Sequence, residues 1–81
     1  MKFHVLVHLK PDVLDVQGQA IREAVVGAGH GGISAVRVGK SFYLDVAADS
    51  DAEGRAEVAR LCQETLSNPL LETFEIEQVT A

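Results

Sequence analysis

The stretch ISAVRVGKSFYLDVA, Ile33 to Ala47, decides the fold. It holds two runs rich in β-branched and aromatic residues on either side of Gly39-Lys40, and a glycine at the first loop position suits a two-residue hairpin turn. Val36 and Val38 share one face of the first run, and Phe42, Leu44 and Val46 share one face of the second. Two adjacent strands in the middle of the chain set the order of everything around them.

Upstream, Lys2 to Lys10 alternates, with Phe3, Val5, Val7 and Leu9 on one side and Lys2, His4, Leu6 and His8 on the other. This is a strand with one buried face. In VHLKPDVLDVQGQAI, Val7 to Ile21, Pro11 has no amide hydrogen to give a ladder, so pairing stops there. Asp15 can then accept hydrogen bonds from the first turn of a helix over about Val16 to Ala28, whose apolar stripe is Ile21, Ala24, Val25 and Ala28. Gly29 is its stop. Downstream, Ser50-Asp51-Ala52-Glu53 has the spacing of a capping box and opens a second helix striped with Val58, Leu61, Cys62 and Leu66. That helix must end before Asn68-Pro69, because a residue preceding proline is pushed out of helical geometry. Leu71 to Val79 alternates again and gives a last strand.

The resulting β-α-β-β-α-β order predicts one domain over residues 1–81: an α+β ferredoxin-like sandwich, a four-stranded antiparallel sheet with two helices on one face. The other face would carry Lys2, His4, Leu6, His8, Arg37, Tyr43, Asp45, Glu75, Glu77 and Val79. Leu6, Tyr43 and Val79 are stranded there among charges, and a chain of 81 residues buries only about 60 % of its unfolded surface or a little more. Both features predict a homo-oligomer, a dimer or a tetramer.

Composition narrows the function classes. Seven basic against twelve acidic residues give a net charge of −5, the wrong sign for neutralising phosphates, so nucleic acid is not an expected partner. No run reaches membrane-spanning length, and Met1-Lys2 leads into a short apolar run holding His4 and His8 rather than a secretion signal; a cytoplasmic location is expected. GAGHGG places Gly27, Gly29 and Gly32 at the spacing of a dinucleotide loop, yet a helix precedes and a strand follows, the reverse of what that loop requires. His4 and His8 lie about 13 Å apart along a strand, too far to share one metal ion. Cys62 sits in an apolar helix stripe, a setting for a structural thiol rather than a nucleophile. The acidic residues at the two helix starts serve as caps and dipole partners. No catalytic, metal or cofactor set emerges, so none is expected.

Three blocks carry a resemblance. LKPDVLDVQGQAI (Leu9 to Ile21), VRVGK (Val36 to Lys40) and LSNPLLETFEIE (Leu66 to Glu77) stand in the order and spacing of the PurS family, the small subunit of phosphoribosylformylglycinamidine synthase. Lys10, Pro11, Leu14, Asp15, Gln17 and Gly18 match the first block, Arg37, Gly39 and Lys40 the second, and Asn68 and Pro69 the third. Asp12 stands where the family has glycine, Val16 where it has proline, and His30 where an aromatic residue is common.

The resemblance implies a non-catalytic subunit of a purine-biosynthesis complex. A glutaminase subunit releases ammonia from glutamine, a large subunit using ATP and Mg joins it to formylglycinamide ribonucleotide, and the small subunit bridges the two and supports ammonia transfer. Residues expected to meet partners are Lys10, Pro11, Gln17, Arg37, Gly39, Lys40, Asn68 and Pro69 from the matched blocks, and Tyr43 from the open sheet face. The alternative is a free-standing regulatory domain that senses a small molecule near Gly29 to Gly32.

Overall fold

Strand β1 (Lys2–Leu9) takes the centre of the sheet, and its alternation decides which side chains become core. The structure, a computed structural model, describes residues 1–79. Strand β2 (Gly39–Asp45) pairs antiparallel with one edge of β1, setting Val5 opposite Phe42 and Phe3 opposite Leu44. Strand β3 (Glu72–Val79) pairs antiparallel with the other edge, setting Val5 opposite Ile76 and Val7 opposite Phe74. Phe3, Val5 and Val7 are fully buried, and their partners on β2 and β3 are half-buried beside them.

Helix α2 (Asp51–Leu61) covers this face on the β3 side. It begins where the capping box predicts, with the Ser50 hydroxyl accepting the Glu53 N–H at 3.2 Å. Gly54 faces the sheet, where a Cβ would lie 3.2 and 3.3 Å from ring carbons of Phe3. The missing side chain lets the helix come down onto that ring. Val58 and Cys62 complete the core. After Leu61 the helix widens into one π-helical turn, Cys62–Leu66, and Ser67 closes it by donating both its N–H (2.9 Å) and its hydroxyl (2.8 Å) to the Cys62 carbonyl. Burial pushes the Cys62 thiol up, which keeps it protonated and inert, as its place in the stripe predicted.

Helix α1 (Val16–Gly27) starts and stops where the sequence places it, with Asp15 as cap and Gly29 in the left-handed region at φ 102°. Its position differs from the expectation. The sandwich should lay both helices on the sheet, yet Gly18 is the one buried residue of α1, and the helix projects from the end of the sheet. The chain measures 51 × 30 × 14 Å with a radius of gyration of 16.0 Å, against about 12 Å for a compact domain of this length.

The hairpin expected at Gly39-Lys40 is also replaced. The described residues form a three-stranded sheet, and 33–38 runs on into β2 without pairing as a strand. Two observations explain the difference. Gly39 lacks the positive φ that either favoured two-residue turn needs at its first position. A two-residue turn would also put Val38 opposite Ser41, sending Val36 and Val38 to the face away from Phe42 and Leu44; a straight passage keeps Val36, Val38, Phe42, Leu44 and Val46 together. Gly39 serves another purpose, since a Cβ there would stand 2.8 Å from the Val7 carbonyl oxygen.

The core assignment has a direct check. Phe3→Ala should lower unfolding free energy in urea by about 3–5 kcal/mol, while Glu75→Ala on the exposed face should change it by less than about 0.5 kcal/mol.

Candidate functional site

Eight of the nine residues expected to meet partners gather at one end of the sheet, where β1 leaves, β2 enters and β3 begins. Their first task there is structural. Lys10 donates its N–H to the Leu71 carbonyl at 2.9 Å, which docks the loop after β1 onto the turn before β3. The Arg37 guanidinium reaches across with two nitrogens, donating to the Lys10 and Val13 carbonyls at 3.0 Å each. Arg37 therefore belongs to this joint and not to the open sheet face where its parity put it.

Asp15 is the centre of the joint. One carboxylate oxygen accepts the Gly18 N–H at 2.8 Å and caps α1; the other accepts the Val38 N–H at 2.7 Å and holds the segment entering β2. The residue is only 5 % exposed. Gly18 must lack a side chain, because a Cβ would collide with the Val36 carbonyl oxygen and the Asp15 carboxylate. The sequence marked Asp15 as a helix cap; nothing in its spacing announced the second bond, to a residue 23 positions away.

The third block closes the same end. The Asn68 side chain accepts the Leu70 N–H at 3.1 Å and its carbonyl accepts the Glu72 N–H at 2.7 Å, a local turn that Pro69 favours by its fixed φ. Glu72, the first residue of β3, accepts the Asn68 N–H at 2.7 Å and pairs with Lys40 at 3.5 Å. Gln17 is exposed beside a shallow groove of about 210 Å³ lined by Val7, Leu9, Val38, Lys40 and Glu72. Pro11, Leu14, Leu70 and Leu71 stand in solvent around this end, Leu70 at 83 % exposure. An apolar, exposed rim thus surrounds a hydrogen-bonded frame.

Tyr43 stands apart on the open face. Its ring stacks on His4 with centroids 4.5 Å apart and planes 10° from parallel, and His4 Nε2 hydrogen-bonds the Ser41 hydroxyl at 2.6 Å. Leu6 lies on the same face at 41 % exposure. A second cleft, of about 400 Å³, runs between α1 and residues 34–37 and includes Arg22, Glu23 and Arg37. It does not reach Gly29 to Gly32, the place where a small-molecule sensor would need its pocket. Among the described residues no three His, Cys, Asp or Glu converge as a metal site, and no helix is long and apolar enough to cross a membrane.

Residues 2–80 match the profile of the PurS family, phosphoribosylformylglycinamidine (FGAM) synthase. The phosphoribosylformylglycinamidine synthase subunit PurS of Mycobacterium leprae is 40 % identical over 72 residues, covering 89 % of this chain and 87 % of that protein. PurS of Methanocaldococcus jannaschii, one of the subunits of formylglycinamide ribonucleotide amidotransferase in the purine biosynthetic pathway, superposes with a TM-score of 0.83 at 26 % identity, over 94 % of this chain and 92 % of its own. A chain of the PurLQS structure from Thermotoga maritima superposes with a TM-score of 0.89 at 28 % identity, over 96 % and 95 %. Coverage that high leaves no room to omit α1, so the projecting helix is included in the match.

The Asp15 joint has a pH signature. Its carboxyl is held below the usual 3.8 chiefly by the Val38 N–H, then by the Gly18 N–H, with the Arg37 charge helping and burial opposing. The folded chain therefore takes up this proton only at lower pH than the unfolded chain, so the stabilisation is full above the ordinary value and is lost as pH falls below it through the depressed one. Thermal midpoints should drop on acidification below pH 3.8. Asp15→Asn should start lower at neutral pH and lose that part of the acid dependence.

Proposed function

The chain belongs to the PurS family and is a subunit of FGAM synthase in purine biosynthesis, and we propose that it acts by holding the catalytic subunits together and not by chemistry of its own. The observation that carries this reading is the character of the end of the sheet where the three blocks meet: the block residues spend polar groups on one another and leave Pro11, Leu14, Leu70 and Leu71 facing outward. A reactive centre would instead aim ionisable groups at a shared point. A frame with an apolar rim suits a docking subunit.

On this reading the partners are the glutaminase subunit and the large subunit, with ATP and Mg used by the large subunit and no cofactor held here. The chain supports delivery of ammonia from one to the other, in the cytoplasm and as a homo-oligomer. Lys10, Gln17, Lys40 and Pro69 border the rim and are the residues through which it meets a partner. The four-stranded sandwich belongs to the assembled state, in which the edge beside β2 is filled.

The test is reconstitution with the two catalytic subunits. Glutamine-dependent FGAM formation should rise when the chain is added, while formation supported by ammonium salts should not depend on it, because free ammonia needs no delivery. Equal glutamine-dependent rates with and without the chain would remove the proposal.

A further inference from the structure

Helix α1 turns its polar side toward its own chain. Gln19, Arg22 and Glu23 fall at i, i+3 and i+4 and form one wall of the cleft of about 400 Å³ whose other wall is residues 34–37. The apolar stripe of Ile21, Ala24, Val25 and Ala28 lies on the opposite side of the helix, so the cleft is a polar space. Its charged side chains on α1 have no partners. Among the described residues the ion pairs are Lys40 with Glu72 and Arg60 with Glu57, and neither includes Arg22 or Glu23. Those two follow one another on the helix, and adjacent positions do not face each other, so neither neutralises the other. The side-chain hydrogen bonds at the cleft are those that Asp15 and Arg37 make to backbone groups, which leaves the Gln19 amide and the Ser34 hydroxyl open among the described residues.

The charges that border the cleft cancel, with Arg22 and Arg37 set against Glu23 and Asp15. They are not equally available. Both oxygens of Asp15 are taken by the Gly18 and Val38 N–H groups. Arg37 gives two of its N–H donors to the Lys10 and Val13 carbonyls and keeps the rest of its guanidinium fork. What remains is two guanidinium groups able to hold a carboxylate and one carboxylate able to hold an ammonium. A phosphate would meet the repulsion of Glu23 and Asp15, and a simple cation that of the two arginines. A small molecule carrying both charges and no net charge is attracted at both ends. The geometry points to a binding site for a free α-amino acid in this cleft, its carboxylate on Arg22 and Arg37 and its ammonium on Glu23. Gln19 and Ser34 offer further hydrogen bonds to a polar side chain, and the volume falls in the range of small-molecule sites, about 300–1,000 Å³. The site stands apart from the apolar rim and does not depend on the docking role.

The experiment uses the full chain, enriched in ¹⁵N and titrated with L-glutamine, whose side-chain amide can both donate and accept hydrogen bonds. The backbone amide signals of residues 19–23 and 34–37 should move and saturate at millimolar ligand, while those of Leu6 and Tyr43 on the open sheet face stay in place. Acetate, methylammonium and inorganic phosphate each answer only part of the charge pattern, so none should saturate over the same range. Arg22→Gln and Glu23→Gln alter exposed side chains without partners in the fold, so both variants should keep the wild-type thermal midpoint. Each should weaken L-glutamine binding about tenfold or more. The proposal is overturned if L-glutamine gives no saturable shift, if the shifts lie outside this cleft, if acetate or phosphate binds as tightly, or if either variant binds like the wild type.

Discussion

A single carboxylate sets the shape of this chain. Asp15 has two oxygens and gives each to a backbone N–H, one in the first turn of α1 and one at Val38, where the chain enters β2. The start of the helix and the start of the strand are thereby fixed relative to each other, and the absence of a side chain at Gly18 lets the backbones come close enough for both bonds. Arg37 then ties the same segment to the Lys10 and Val13 carbonyls. Without these contacts the direction in which α1 leaves the sheet would be undetermined, since little else in the helix touches the rest of the chain.

Much of the local structure could be read from residues. Alternation located β1 and β3, the S-x-x-E spacing located the start of α2, and Asp15 and Gly29 bracketed α1. These signals are local, and local physics produces them. The failures have a shared cause: Gly39 and the α1 stripe each admit two readings that differ only in what lies far away in sequence. A glycine can permit a turn or a close approach, and here it permits the approach of the Val7 carbonyl. An apolar stripe shows that a helix has a covered side, without showing whose atoms cover it. One clue was available. The parity of Val36, Val38, Phe42 and Leu44 is that of one continuous strand, and it conflicts with a two-residue turn between them.

The candidate site was legible as a set of positions and not as a mechanism. The eight candidates drawn from the matched blocks all lie at one end of the sheet in the structure, but their spacing gave no sign that Arg37, Lys10 and Asn68 would be occupied with backbone groups. Glu72, which anchors the Asn68 turn and pairs with Lys40, looked like any other acidic residue on a strand. What distinguishes a frame from an active centre is the direction of its hydrogen bonds. Here they run inward, and the apolar rim faces out. That division agrees with the docking role proposed for this subunit of FGAM synthase.

Amide hydrogen exchange at Gly18 and Val38 tests the central role of Asp15 most directly. Two N–H groups held by one carboxylate should exchange slowly, and in Asp15→Ala both should lose protection together, because the substitution removes both acceptor oxygens at once. Val38 exchanging as fast in the wild type as an unpaired amide, or keeping its protection in Asp15→Ala, would contradict the role given to this carboxylate.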